Sequence, residues 1–248
     1  MSPVGDGFWV RSLAETYRAG GHIPRHTHPW GQLAYAIRGV LHISTPEALW
    51  IAPPTRAIWL PPHRPHEITM QGETAMRTLY IDPISAAPLP VDVAVFEVSS
   101  LLRELILHIL GVGMLGPGDA AHERLAGVLI DLLTRAPTQD LSLPLPRDRR
   151  ALALAGRLQA EPGDTAPLAR LAEGAGASLR TLQRLFPAET GLTLEAWRQK
   201  ARLIAAVTAL SAGTPVTVVA GDCGYDSPSA FITAFKRQFG VTPGRYRG

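Results

Sequence analysis

Four histidines and one glutamine in the first third of the chain are spaced in a way that could do chemistry. They read His26-x-His28-x-x-x-Gln32 and, further on, Pro61-x-His63-x-x-His66. Imidazole nitrogens suit first-row divalent ions such as zinc, nickel, iron(II) or copper, and three converging rings make a good ligand set. Gln32 is the complication, because a neutral amide is a weaker ligand than a carboxylate and cancels none of the ion's charge. It tilts the reading toward an organic pocket in which the histidines hydrogen-bond to a ligand or to each other. A divalent transition metal held by His26, His28, Gln32 and His66 is the alternative. Positions 26, 28 and 32 share strand parity and face one way if no bulge intervenes. Ala34 and Ala36 follow on that parity and leave room, and Trp30 is a suitable pocket wall. The expected ligand is small and planar or aromatic, held by the histidines and Trp30.

A different chemistry sits near the other end. Ser178 caps a helix running from Leu179 to Phe186. Leu182, Leu185 and Phe186 point one way, leaving Arg180, Thr181, Gln183 and Arg184 toward the exposed side. Upstream, Leu168, Leu171 and Ala172 form a short apolar face that ends in the turn Gly174-Ala175-Gly176-Ala177. Helix, glycine turn and helix with a polar-basic outer face is an arrangement that lays one helix in the DNA major groove. The pattern recurs after Gly224-Tyr225-Asp226-Ser227. Ser227 is an N-cap, Pro228 fits the first turn, Phe231, Phe235 and Phe239 form one stripe, and Gly240 with Pro243 stops the helix. Between the copies, Thr193 to Ala212 reads as a helix of about 30 Å, close to one turn of B-DNA.

The spacing of both helix-turn-helix units and the closing run Gly-Tyr-Asp-Ser … Phe-Lys-Arg-Gln-Phe-Gly-Val-Thr-Pro … Tyr246-Arg247 resemble the DNA-binding domain of the AraC/XylS family of bacterial transcription regulators. The resemblance implies a bipartite domain with one module per adjacent groove. Arg180 and Gln183 occupy the base-facing positions of the first recognition helix, with Arg184 beside them. In the second, the matching positions are Pro228, Ser229, Ala230 and Thr233, with Lys236 nearer the backbone. Their short side chains depart from members that carry Gln and Arg there, which implies readout through thymine methyls, water and shape. The histidine spacing resembles the two cupin motifs, with Gln32 in place of the usual Glu and His63 in place of a Gly. The resemblance further implies a homodimer, contact with RNA polymerase, and control of a neighbouring efflux gene.

Short strand-like runs between Phe8 and Asp82, broken by Pro and Gly, read as an all-β barrel or sandwich. Two amphipathic helices follow, Ser99 to Leu110 and His122 to Leu133. Their stripes either cover the barrel or form a dimer seam. The expected fold is therefore α+β in two domains. A cupin-like sensor barrel spans 1–97, a helical hairpin 98–136, a proline-stiffened linker 137–147, and a double helix-turn-helix 148–248. Charge divides along the same line. Residues 147–248 hold fourteen Lys/Arg against eight Asp/Glu (+6), and residues 1–146 hold ten against thirteen (−3), which sum to the chain's +3. A basic half suits phosphate contact. The single cysteine, Cys223, packs rather than pairs. The absence of a long apolar stretch or signal-peptide pattern points to a cytoplasmic protein without membrane contact. The expected function is a transcription regulator that binds double-stranded DNA in response to a small-molecule or metal effector. A metal-dependent cupin enzyme is the competing reading, weakened by the missing carboxylate and by Glu67, whose strand position turns it outward.

Overall fold

The computed structural model describes residues 7–246, so Arg247 of the closing run lies outside the described residues. The chain forms two compact units. One contains the described residues up to Thr45 together with Trp50–Leu141; the other contains Pro46–Leu49 and the described residues from Ser142 onward.

The first unit is sheet-rich. Its strands are β1 (Val10–Tyr17), β2 (His22–His26), β3 (Gly31–Ser44), β4 (Ala48–Ala52, whose first two residues belong to the second unit), β5 (Arg56–Leu60), β6 (His66–Ile81), β7 (Ala94–Glu97) and the two-residue β8 (Met114–Leu115). They lie in the order β7-β5-β3-β6-β1-β8, with β2 also on β6 and β4 also on β3. Gly39 and Gly72, residues of the kind that break the strand-like runs in the sequence, fall inside β3 and β6. Both strands run through these points and bulge there. The register shifts between Ala36 and Val40, opposite Gln71 to Ala75. Gly39, at φ 79°, is required: a Cβ would stand 2.3 Å from Thr74 Oγ1 and 2.7 Å from the Glu73 carbonyl.

Alternation along β3 and β6 separates two environments. Leu33, Tyr35, Leu79 and Ile81 join Ala57 and Trp59 of β5 on one face. That face is covered by α1 (Ser100–Val112) and α2 (Ala120–Arg135) through Leu102, Leu105, Ile106, Ile109, Leu129 and Leu133. The hairpin's main stripe thus covers the sheet, leaving Leu101 and Val128 exposed on its outer side. Gln32, Ala34 and Ala36 occupy the opposite face of β3, paired with Tyr80, Thr78 and Met76.

The 137–147 segment spans the boundary between the two units, at Leu141/Ser142, and is hydrogen-bonded on either side of it. Thr138 bridges to Phe96, and Gln139 donates its N–H to the Val95 carbonyl, both within the first unit. Ser142–Pro144 is a short strand, β9, of the second unit, where Leu145 N–H reaches the Glu47 carbonyl and Trp197 Nε1 donates to the Pro144 carbonyl at 2.6 Å. Backbone pairing wins over the stiffness of its prolines.

The second unit is helical: α3 (Arg149–Ala160), α4 (Leu168–Gly174), α5 (Leu179–Thr190), α6 (Leu194–Ser211), α7 (Val216–Asp222) and α8 (Pro228–Phe239), closed by a 3-10 turn at Pro243–Tyr246. Ser178, Thr193 and Ser227 cap α5, α6 and α8 by accepting from the N–H three residues on. Helix α5 runs past Phe186 through Pro187 and ends on Gly191 at φ 73°. Phe186 packs edge-on to Trp197 at 5.4 Å, and Phe231, Phe235, Phe239 and Tyr246 form a second aromatic core.

Gly31 opens β3 directly beneath Trp59, whose ring is held by a 2.8 Å hydrogen bond from Nε1 to the Pro90 carbonyl. A Cβ at Gly31 would lie 2.0 Å from that buried ring. Gly31→Ala is expected to destabilise the fold by about 1–3 kcal/mol in urea denaturation, whereas an unchanged midpoint would mean that Trp59 is free to move.

Candidate functional site

His26 ends β2 and pairs across to His66 at the start of β6. His28 lies beyond the strand, just before the bend at Pro29 and Trp30 that leads to Gly31. Strand parity therefore does not bring these rings together, since β2 bulges between Ile23 and His26 and breaks before His28. Local carbonyls do. His26 Nδ1 lies 2.9 Å from the Pro24 carbonyl, His28 Nδ1 2.7 Å from that of Trp30, and His66 Nδ1 2.8 Å from that of Arg64. A carbonyl only accepts, so each Nδ1 carries the proton and each neutral ring keeps its lone pair on Nε2. One ring nitrogen from each of the three falls within 4.8 Å of the others. The ring centroids are 4.3 Å apart for His26 and His66, 5.1 Å for His28 and His66, and 5.7 Å for His26 and His28.

Two Nε2 atoms lack a conventional partner. That of His66 is buried with none, which leaves a desolvated acceptor unsatisfied. That of His28 faces Gln32 Oε1 at 3.0 Å, so two acceptors meet in the neutral ring. A proton on His28 Nε2 would resolve the contact, but burial lowers the His28 pKa, only partly opposed by its bonds to Gln32 and Trp30. Reversing the amide would forfeit its N–H donation to Thr78 Oγ1 at 3.1 Å, and that hydroxyl already donates to the Leu33 carbonyl. A cation between the two atoms satisfies both. Adjacent ligands on a divalent ion with bonds of about 2.1 Å lie roughly 3.0 Å apart at right angles. The protonated Nδ1 atoms on carbonyls are the outer-shell arrangement that orients metal-binding histidines. His26, His28 and His66 could hold a first-row divalent ion, with Gln32 Oε1 beside His28 Nε2.

The other residues of this region divide. Trp30 is fully buried, with its indole N–H unpartnered and Arg11 5.0 Å over its ring, and its carbonyl holds His28. Tyr80, not singled out as a site residue in the sequence, meets the His28 ring edge-on at 5.2 Å and reaches Gln32 Nε2 at 3.5 Å. His63, at the cupin glycine position, has φ 61° and is exposed. Its N–H donates to the His28 carbonyl at 2.8 Å, so it shapes the turn between the histidines. A proline lies within two residues of each of the three histidines, at Pro24, Pro29 and Pro65. That is the sequence signal from which the carbonyl contacts could have been anticipated.

On the second unit, Arg180, Gln183 and Arg184 are exposed on α5 and make no hydrogen bond or ion pair among the described residues; Thr181 shares a 2.9 Å bond with Ser178. On α8, Pro228, Ser229, Ala230, Thr233 and Lys236 are exposed behind the Ser227 cap, and the Thr233 hydroxyl donates to the Ser229 carbonyl at 2.9 Å. Cys223 is buried, and burial pushes its thiol up to about 11, which keeps it a thiol rather than a reactive thiolate.

Two helix-turn-helix modules joined to a sheet-rich unit with a convergent polar site define a ligand-responsive DNA-binding protein. Residues 171–248 match a helix-turn-helix domain model, and residues 10–158 match the AraC-like ligand binding domain. The chain is 36% identical over 223 residues to the HTH-type transcriptional regulator NimR of Escherichia coli (strain K12), covering 90% of this chain and 81% of that one. It is 38% identical over 112 residues to the HTH-type transcriptional regulator RipA of Corynebacterium glutamicum, covering 45% and 33%. The crystal structure of ToxT from Vibrio cholerae aligns over 96% of both chains with a TM-score of 0.40 and 10% identity. The chain belongs to the AraC family of transcription regulators. Its relatives are regulators, which leaves the enzyme reading without support. No helix among the described residues is long and apolar enough to cross a membrane.

Burial holds His66 near 4 and His42, further along β3, near 4 as well. An unfolded histidine titrates near 6.5, so between about 6.5 and 4 the unfolded chain binds more protons. Stability is full above the upper value and declines as pH falls toward the lower. The urea midpoint of metal-free protein should drop progressively over that window, and a flat profile would show that these rings are solvated.

Proposed function

We propose that the chain regulates transcription by reading two adjacent major grooves with α5 and α8, under the control of an effector bound at the His26, His28, Gln32 and His66 site. The observation that carries the effector half is the meeting of His28 Nε2 with Gln32 Oε1 beside the orphaned His66 Nε2. It favours a divalent transition metal over the purely organic pocket that a glutamine suggests. Bound there, the ion supplies a positive charge that three neutral imidazoles and an amide leave uncancelled. A small effector with an anionic or lone-pair donor group would complete the site, with Tyr80 at its edge. In this reading the chain acts as a cytoplasmic homodimer in which the exposed outer side of the hairpin, at Leu101 and Val128, contributes to the seam. RNA polymerase is its partner at the promoter. Control of an efflux gene belongs to the same reading and rests on family resemblance alone.

The two recognition helices carry unequal side chains. Arg180 and Gln183 suit guanine O6/N7 and adenine N6/N7, whereas the matching positions of the second helix, Pro228, Ser229, Ala230 and Thr233, are short. Arg180→Ala should cost about 1–3 kcal/mol on a duplex selected by the full chain and relax one base position, with Thr233→Ala costing less. Equal losses at both helices, measured by fluorescence anisotropy at one fixed salt concentration, would overturn this asymmetric readout. His66→Ala should leave binding of that duplex intact while abolishing any response to effector.

A further inference from the structure

Two arginines of the linking helix α6 turn away from the exterior toward carbonyls of their own chain. Arg202 donates from Nε to the Pro162 carbonyl at 2.9 Å and from a terminal nitrogen to the Asp164 carbonyl at 2.8 Å. Arg198 donates to the Ala166 carbonyl at 3.1 Å and also to that of Asp164. All three acceptors lie in the loop between α3 and α4, within the first helix-turn-helix module. The Asp164 carboxylate stays in that loop, accepting from Ala166 N–H at 2.7 Å and pairing with Arg157 at 3.4 Å. Two neighbouring guanidinium groups repel one another, and burial together with the Arg202 charge pulls the Arg198 pKa down. The carbonyl dipoles of the loop offset that repulsion.

The same loop rests on the second module. Gly163 has no room for a side chain: a Cβ would stand 2.4 Å from the Asp222 carbonyl, at the end of α7. Across the contact, Gly224 at φ 72° would place a Cβ 3.0 Å from an Arg202 terminal nitrogen and 3.1 Å from the Gly163 carbonyl. The turn of the second helix-turn-helix therefore sits against a loop of the first, with Arg202 between them.

We propose that Arg198 and Arg202 are positioning residues that clamp the α3–α4 loop onto the α7–α8 turn and thereby set the spacing at which α5 and α8 meet DNA. This rests on the two-groove reading above and adds to it the part that fixes its geometry. Helix α6 alone separates the modules, but a lone helix allows each to rock about its end. The clamp removes that freedom, because donors from two successive turns of α6 converge on one loop carbonyl.

The test uses the full chain and a duplex that it selects from a random-sequence pool, together with duplexes carrying one, two or three extra base pairs between the two sub-sites. The parent protein should lose affinity steeply with each insertion, since every added base pair rotates the second groove away. Arg202→Ala should bind the selected duplex at least about tenfold more weakly and show a flattened dependence on spacing, with an unchanged salt slope. Arg202→Lys, able to reach one carbonyl, should recover part of the spacing preference, and Gly163→Ala should reproduce the Arg202→Ala pattern by displacing the loop. Should Arg202→Ala fail to fold, those two variants carry the test. A variant set with the parent's affinity and spacing profile would overturn the clamp. So would a uniform loss on all duplexes with the salt slope reduced by about one, which would make Arg202 a phosphate contact. Failure to select any duplex would overturn the two-groove reading itself, and the clamp's role with it.

Discussion

Strand β3 cannot slip by a single residue against β6. One face of the pair holds Leu33, Tyr35, Leu79 and Ile81 under the two helices of the first unit, and the other holds Gln32, Ala34, Thr78 and Tyr80. A one-residue shift would carry Gln32 into the apolar layer and push Leu33 among the histidines. Burying each such side chain correctly contributes roughly 1.5–3 kcal/mol, so the apolar layer enforces the polar one. The bulges at Gly39 and opposite it let both strands continue at full length.

The histidines depend on that frame but are aimed by something more local. Each ring is held through Nδ1 by a carbonyl two residues away in sequence, which fixes ring rotation and tautomer together. Among the described residues the buried His66 Nε2 then has no hydrogen-bond donor, and His28 Nε2 faces the amide oxygen of Gln32 rather than its N–H. Such a cluster of acceptors is unfavourable without a cation and favourable with one. This argues against taking the glutamine as a sign of lost metal binding. Compared with a glutamate, Gln32 carries no charge but keeps an oxygen facing His28 Nε2.

In the helical unit α5, α6 and α8 were legible in the sequence, whereas α3 and α7 were not read as separate helices. The signals of the legible helices are local: Ser178, Thr193 and Ser227 as caps, Gly191 and Gly240 in the left-handed region, and aromatic residues at every fourth position. The turn between α3 and α4 was not, since its role depends on Arg198 and Arg202 more than thirty residues later. In the first unit, the strands of β3 and β6 were only half legible. Polar residues at Gln71 to Glu73 resemble a turn, and only the partner strand's matching bulge makes them part of a ladder. The set of His26, His28, Gln32 and His66 was legible from spacing, although the parity argument for it does not hold, because His28 stands outside the strands. The 137–147 segment spans the boundary between the two units, and its composition does not show its backbone pairing. Its prolines read as a spacer, while its remaining N–H and carbonyl groups find partners that no composition records.

The most direct test of this account is a zinc titration of full-length protein prepared without a polyhistidine tag and stripped with chelator, alongside His66→Ala and His63→Ala. One equivalent should bind the parent and the His63→Ala variant, because His63 shapes a turn without joining the ligand set, and binding should vanish in His66→Ala. A parent that binds no zinc, nickel or iron(II), or a His66→Ala variant that binds as well as the parent, would contradict the reading of these imidazoles as a metal site.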